Sequence, residues 1–225
     1  MLNLVFKDIL VQKKSLLFYF IYIIIAGMAF KGIGLGGFTA AVMMLSYVFL
    51  ANSCTYDDKN KAHFMLNSLP VKRSKIVLSK YVSMLLFFFL SILMYLSIYH
   101  LVKLISLPMS LNLNLSSINI EGLLGTFFAL SLFAGIYLPI FFKFGDTKSR
   151  TISIVLYLVV FFGFALVVQS LNSIKQLSFF QNIYEAIKPF TKNDMIIGTS
   201  IALISILILT LSYFVSIKFY KNREF

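Results

Sequence analysis

Few side chains in this sequence are of the kinds that make and break bonds. It has two histidines, His63 and His100, which stand far apart, and one cysteine, Cys54. No H-E-x-x-H, no His/Cys cluster and no G-x-S-x-G occurs, so metal or serine chemistry has no residues to stand on. A single cysteine excludes an intramolecular disulfide. No G-x-x-x-x-G-K-[ST] is present, so the chain has no phosphate loop for ATP hydrolysis. Gly32, Gly34, Gly36 and Gly37 follow no strand and read as flexibility or close helix packing. The densest charged run is Asp57-Asp58-Lys59 with Lys61. Its chemistry is recognition. Either aspartate could cap a helix start. Ala62, Met65, Leu66 and Leu69 then follow at i, i+3, i+4 and i+7. Pro70 ends that helix, and Ser74 could cap the next. An apolar stripe of this kind needs a cover: the membrane surface, the rest of its own fold, or another protein.

The elements that position this run follow from composition. The chain is 60% hydrophobic and 12% charged over 225 residues, against roughly 45–50% and about 25% in soluble domains. One soluble core of this size cannot hide so much apolar side chain, and disordered chains are poor in Phe, Ile and Leu. The chain is therefore expected to be an all-α integral membrane protein. Six stretches approach the ~20 apolar residues of a spanning helix: 15–30, 36–54, 81–107, 122–142, 151–171 and 195–217. Little is left over, so 1–225 reads as a single transmembrane domain. The first stretch is long for a signal peptide and leads straight into a second span.

The formal charge of +12 resolves into sidedness. Lys7, Lys13, Lys14, Lys59, Lys61, Lys72, Arg73, Lys75, Lys80, Lys143, Lys148, Arg150, Lys218, Lys221 and Arg223 fall on one side of a six-span layout. Only Lys31, Lys103, Lys175, Lys188 and Lys192 fall on the other. Positive-inside sorting places both termini and the two basic loops in the cytoplasm, and an even span number agrees. Nucleic acid is not the implied partner.

Outside the spans, residues 1–14 carry Leu2, Val5, Phe6, Ile9 and Leu10 on one helical face, as an interfacial helix in membrane lipid would. Residues 171–192 carry Leu177, Phe180, Tyr184 and Ile187 at helical spacing, ended by Pro189, as an amphipathic segment on the outer surface. Within the spans, ionisable groups are scarce. Ser46, Asn52, Ser91, Ser97, Thr126 and Ser131 either pack helices or line a pathway, and such a pathway suits an apolar or amphipathic substrate.

The loop at 56–80 has further detail. Its acidic, Lys-containing start is followed by Phe64-Met65-Leu66-Asn67-Ser68-Leu69-Pro70, then by Lys72 through Tyr81 in the form K-R-S-K-I-V-L-S-K-Y. A second loop runs from Leu138-Pro139 through Lys143-Phe144-Gly145 to Lys148 and Arg150. Together with the helix at 1–14 and the six spans, these segments resemble an ABC-2 type transporter permease, over the whole chain. The subgroup looks most like the small permeases of phenol-soluble modulin peptide exporters. That resemblance implies the ABC-2 (type V) exporter fold and a permease paired with a second permease subunit, in a homodimer or a heterodimer. It implies a separate ABC ATPase subunit that carries the ATP and Mg, with no cofactor on this chain and no catalysis by it. It assigns 56–80 as the coupling segment, with Asp57, Asp58, Lys59, Lys61, Phe64, Met65, Leu66, Asn67, Leu69 and Pro70 meeting the ATPase. Lys143, Phe144, Gly145 and Arg150 would form the second cytoplasmic loop. The substrate implied is an amphipathic or hydrophobic peptide, moved out across a bacterial cell membrane.

Two other classes stay in view. An ATP-independent carrier or a peptide-immunity protein shares the composition. An intramembrane protease would need paired carboxylates, a His pair or a Ser/Lys dyad in a span, and the spans show none.

Overall fold

Backbone amides in hydrocarbon must be satisfied inside their own segment, which favours helices. The computed structural model describes residues 2–13, 16–29, 35–68, 71–109, 118–145, 148, 151–152, 154–155 and 194–223. Its elements are helices: α1 (Leu2–Gln12), α2 (Leu16–Ala29), α3 (Leu35–Lys59), α4 (Ala62–Ser68), α5 (Arg73–Met109), α6 (Ile120–Phe144) and α7 (Asp194–Lys221).

Four of the six expected spans are found as helices long and apolar enough to cross a membrane: Gly37–Lys59, Arg73–Leu104, Ile120–Phe144 and Met195–Lys221. The stretch at 15–30 corresponds to α2, whose 14 residues rise about 21 Å, short of a ~30 Å hydrocarbon core. The expected span at 151–171 lies almost wholly outside the described residues, and the outer segment at 171–192 entirely so.

Helix α3 sits at the centre. Phe38, Leu45, Phe49 and Leu50 on α3 are sealed from solvent beside Phe87 and Tyr95 of α5 and Leu130 and Leu138 of α6. Phe49 stacks on Phe87 at 5.5 Å and meets Tyr19 of α2 edge-on at 4.3 Å. Helix α5 is the longest, at 37 residues, or about 55 Å. It exceeds the hydrocarbon thickness, so it continues beyond the bilayer and carries α4 at one end.

Helices α6 and α7 pack through small residues, as membrane helices do in place of a hydrophobic drive. Gly198, Ser205 and Ser212 recur every seven residues on α7, and Ser205, Ser212 and Ser216 are buried. A Cβ on Gly135 of α6 would lie 3.0 Å from Ile208, and one on Gly198 would lie 3.0 Å from Leu124. On its other side α7 exposes Leu203, Leu207, Leu211 and Phe214, a face suited to lipid tails. Pro139 lies inside α6. A proline has no N–H, so it leaves the carbonyl four residues earlier without a helical donor. That carbonyl belongs to Gly135, and it accepts a hydrogen bond from Ser212 Oγ at 2.8 Å.

Candidate functional site

The α3–α4–α5 connection differs from the sequence expectation at its start. Helix α3 runs through Asp57 and Asp58 to Lys59, so neither aspartate caps α4. Both sit in a last helical turn, where a negative charge opposes the helix dipole. Cations from two other elements offset this at Asp57. Lys80 of α5 pairs with Asp57 Oδ2 at 2.6 Å, and Lys7 of α1 with Oδ1 at 2.5 Å. Ser74 is likewise not a cap, because α5 begins at Arg73.

Lys80 is the hub of the cluster, its side chain only 5% exposed. It donates to Asp8 Oδ1 at 2.9 Å and to Ser53 Oγ at 2.7 Å. Ser83 Oγ donates to Asp8 Oδ2 at 2.8 Å, and Lys7 lies 3.4 Å from Asp8. Two cations and two anions therefore balance inside the fold, as buried charge must. One turn along α1 a second tier begins. Gln12 Nε2 donates to the Phe49 carbonyl at 2.9 Å, Tyr19 OH donates to Gln12 Oε1 at 2.6 Å, and Asn52 Nδ2 donates to Tyr19 OH at 2.8 Å.

These tiers explain how α1 is seated. Val5, Asp8 and Gln12 are buried against the bundle, whereas Phe6, Ile9 and Leu10 are exposed. The expected apolar face is therefore split: Val5, with half-buried Leu4, turns to the bundle beside Asp8 and Gln12, and Phe6, Ile9 and Leu10 turn away from it.

The turn to α4 uses Lys61 at φ 49°, a left-handed residue whose N–H donates to the Asp58 carbonyl at 3.0 Å. On α4, Met65 is 68% exposed. Leu66 is half-buried, packs against the core and lines a small cavity with Asp57, Asp58, Ile76, Phe142, Tyr220 and Arg223. The two neighbours thus face opposite ways, and of the pair Met65 is the one free to meet another surface. Lys59 and Lys61 are exposed. The side chains of Phe64 and Asn67, and residues Leu69 and Pro70, lie outside the described residues.

Three further segments meet at this end. Arg73 donates to the Lys221 carbonyl at 2.8 Å and lies over the Tyr220 ring, holding the last turn of α7. Gly145 ends α6 with φ 86° and ψ −177°, a region open in practice to glycine. A Cβ there would lie 3.3 Å from Asp58 Oδ1 and 3.5 Å from Arg223. Lys143 sits over the rings of Phe144 and Phe219 at 4.8 and 5.0 Å. Arg150 lies outside the described residues. The ends of α3, α6 and α7 and the start of α5 therefore meet at one surface.

The hydroxyls expected in the spans bond to their own helices. Ser46, Ser91, Ser97 and Thr126 each donate to the carbonyl four residues earlier, and Ser131 to the one three earlier. All but Ser97 are buried. Asn52 belongs to the Gln12–Tyr19 tier. Sequence reasoning missed Asp8 and the burial of Lys80, which had read as one of several loop cations. The available signal was Asp8 and Gln12 at i, i+4 on one side of a mostly apolar helix, with Lys80 directly before the apolar run of α5. Among the described residues no group of three or more His, Cys, Asp or Glu side chains could hold a metal ion.

A family model described as ABC-2 family transporter protein matches residues 3–221. No curated protein and no solved structure matches the chain.

Proposed function

The chain belongs to the ABC-2 family of transporter proteins and is a multi-pass membrane protein, and we propose that it is the permease subunit of an ATP-driven exporter. ATP and Mg2+ act on a separate ABC ATPase, which docks against α4 and the loops beside it. The observation that carries this reading is the split of α4, with Met65 facing out and Leu66 facing in. A seven-residue helix needs a rigid seat to transmit force, and Leu66 supplies it. An exposed methionine suits an adaptable apolar groove, with Lys59 and Lys61 adding steering. The basic ends of α6 and α7 meet the end of α3 and the start of α5 at this face, in keeping with a cytoplasmic side, with both termini inside a bacterial cell. The permease works as a dimer, with a second copy or a related subunit. Its cargo is an amphipathic or hydrophobic peptide, a reading supported by the scarcity of ionisable groups in the spans and by Ser46, Ser91, Thr126 and Ser131, which bond back to their own helices.

The test is co-purification of the tagged permease with its ABC ATPase. Met65→Asp is expected to reduce recovery of the ATPase at least tenfold while the permease remains folded. Equal recovery by wild type and variant sinks the docking reading. Retention of secreted amphipathic peptides in a strain lacking the gene checks the cargo.

A further inference from the structure

We propose that Asp57 and Lys80 are positioning residues that clamp the base of the docking loop, so that α4 moves as a rigid extension of α3 and α5 together. The inference rests on the permease reading for its functional consequence, but its structural claim stands separately.

The α4 loop leaves α3 after Lys59 and returns at Arg73. Asp57 lies two residues before the exit and Lys80 seven residues after the return, and their side chains pair at 2.6 Å. This closes the loop at its base. The same Lys80 reaches Asp8, so the clamp also takes in α1. The pair lies out of water, with Asp57 14% and Lys80 5% exposed at the side chain, where ion pairs are screened little and hold a fixed geometry.

A loop hinged on two independent helices would let an ATPase push α4 without moving the bundle. A loop closed by a buried ion pair shares the push between both helices, as rigid elements joined by ion pairs carry coupling through a structure. The sequence reading placed Asp57 on the ATPase-facing surface. The structure instead turns it inward, so removing its charge should alter transmission rather than docking.

The test uses the full chain in lipid nanodiscs, in a Cys54→Ser background with a spin label at Met65→Cys. Asp57→Asn removes the α3–α5 pair but leaves Lys80 on Asp8, and Lys7 is exposed enough to be solvated. Label mobility and the rate of tryptic cleavage at Lys59 and Lys61 are both expected to rise at least fivefold. Asp57→Glu is expected to restore most of the order. The charge-balanced double variant Lys80→Met with Asp8→Asn is expected to loosen the label in the same way, and it keeps the test open if a single charge deletion fails to insert. Unchanged mobility and cleavage in both variants overturns the clamp. With the ATPase that co-purifies with the wild-type chain, Asp57→Asn should keep binding within about twofold while transport falls at least tenfold. Binding lost tenfold with an ordered loop would make Asp57 a docking contact and overturn the proposal. Indifference of ATPase recovery to Met65→Asp would instead sink the permease-docking reading, leaving the label result to decide the clamp alone.

Discussion

Ser212 of α7 supplies the Gly135 carbonyl of α6 with the hydrogen bond that Pro139 cannot give it. The donor is itself held, since Tyr81 of α5 bonds Ser212 at 2.6 Å and Ser216 at 2.8 Å. Three spans thus share one irregularity of a single backbone. Exchange of a helical bond for one between helices is how proline is accommodated in hydrocarbon.

That relation makes the effect of one substitution depend on another. Ser212→Ala should cost about 1–3 kcal/mol by leaving a buried carbonyl unpaired. In a Pro139→Ala background a backbone N–H returns, and the cost of Ser212→Ala should drop below about 1 kcal/mol. Thermal melting in detergent of the four proteins in this cycle measures it. Equal costs in both backgrounds would show that the carbonyl is not the partner that matters.

The buried charges should be unequal in value. Lys80→Met leaves two carboxylates with one shared cation and should cost about 3–5 kcal/mol. Lys7→Met removes a cation whose side chain is 35% exposed, and solvent screening limits that loss to about 1 kcal/mol. Melting temperatures, with membrane yield as a second readout, compare the two. A larger loss at Lys7 would contradict the hub assigned to Lys80.

Two glycines on α6 should respond oppositely to alanine. At Gly145 the backbone lies where side chains cost about 1–3 kcal/mol, and the new methyl would crowd Asp58. At Gly125 a Cβ would meet Thr39 at an ordinary 3.8 Å. Alanine there should be neutral or stabilising by about 0.5–1 kcal/mol, as expected in a helix interior. Differential scanning fluorimetry on both variants tests the contrast.

The α6–α7 contact should tolerate little extra volume. Gly135→Leu pushes against Ile208 and should cost about 1–3 kcal/mol. Ile208→Ala in the same chain should recover part of that. If the double variant is no more stable than Gly135→Leu alone, the close approach is not where the strain arises.

Four of the six expected spans and the helix α4 were legible because each rests on a local pattern. Apolar length reveals a crossing helix, and Met65 with Leu66 marks a helical face before Pro70. Which neighbour faces the bundle was not legible, since both are apolar and the answer depends on how α5 and α6 meet beneath α4. The aspartates were misjudged for a similar reason. Asp57-Asp58 resembles a helix start when read alone, but α3 has enough apolar contact with its neighbours to run on through both. Asp8 paired with Lys80 was beyond local reading, because 72 positions separate them.

That separation also sets an order of assembly. A chain is made from its N-terminus, so Asp8 emerges long before Lys80, the buried partner to which it bonds. Burying that carboxylate before Lys80 is in place would leave it short of its buried cation, and an unpaired charge is costly to bury. The polar seat of α1 is therefore complete only once the start of α5 has been made.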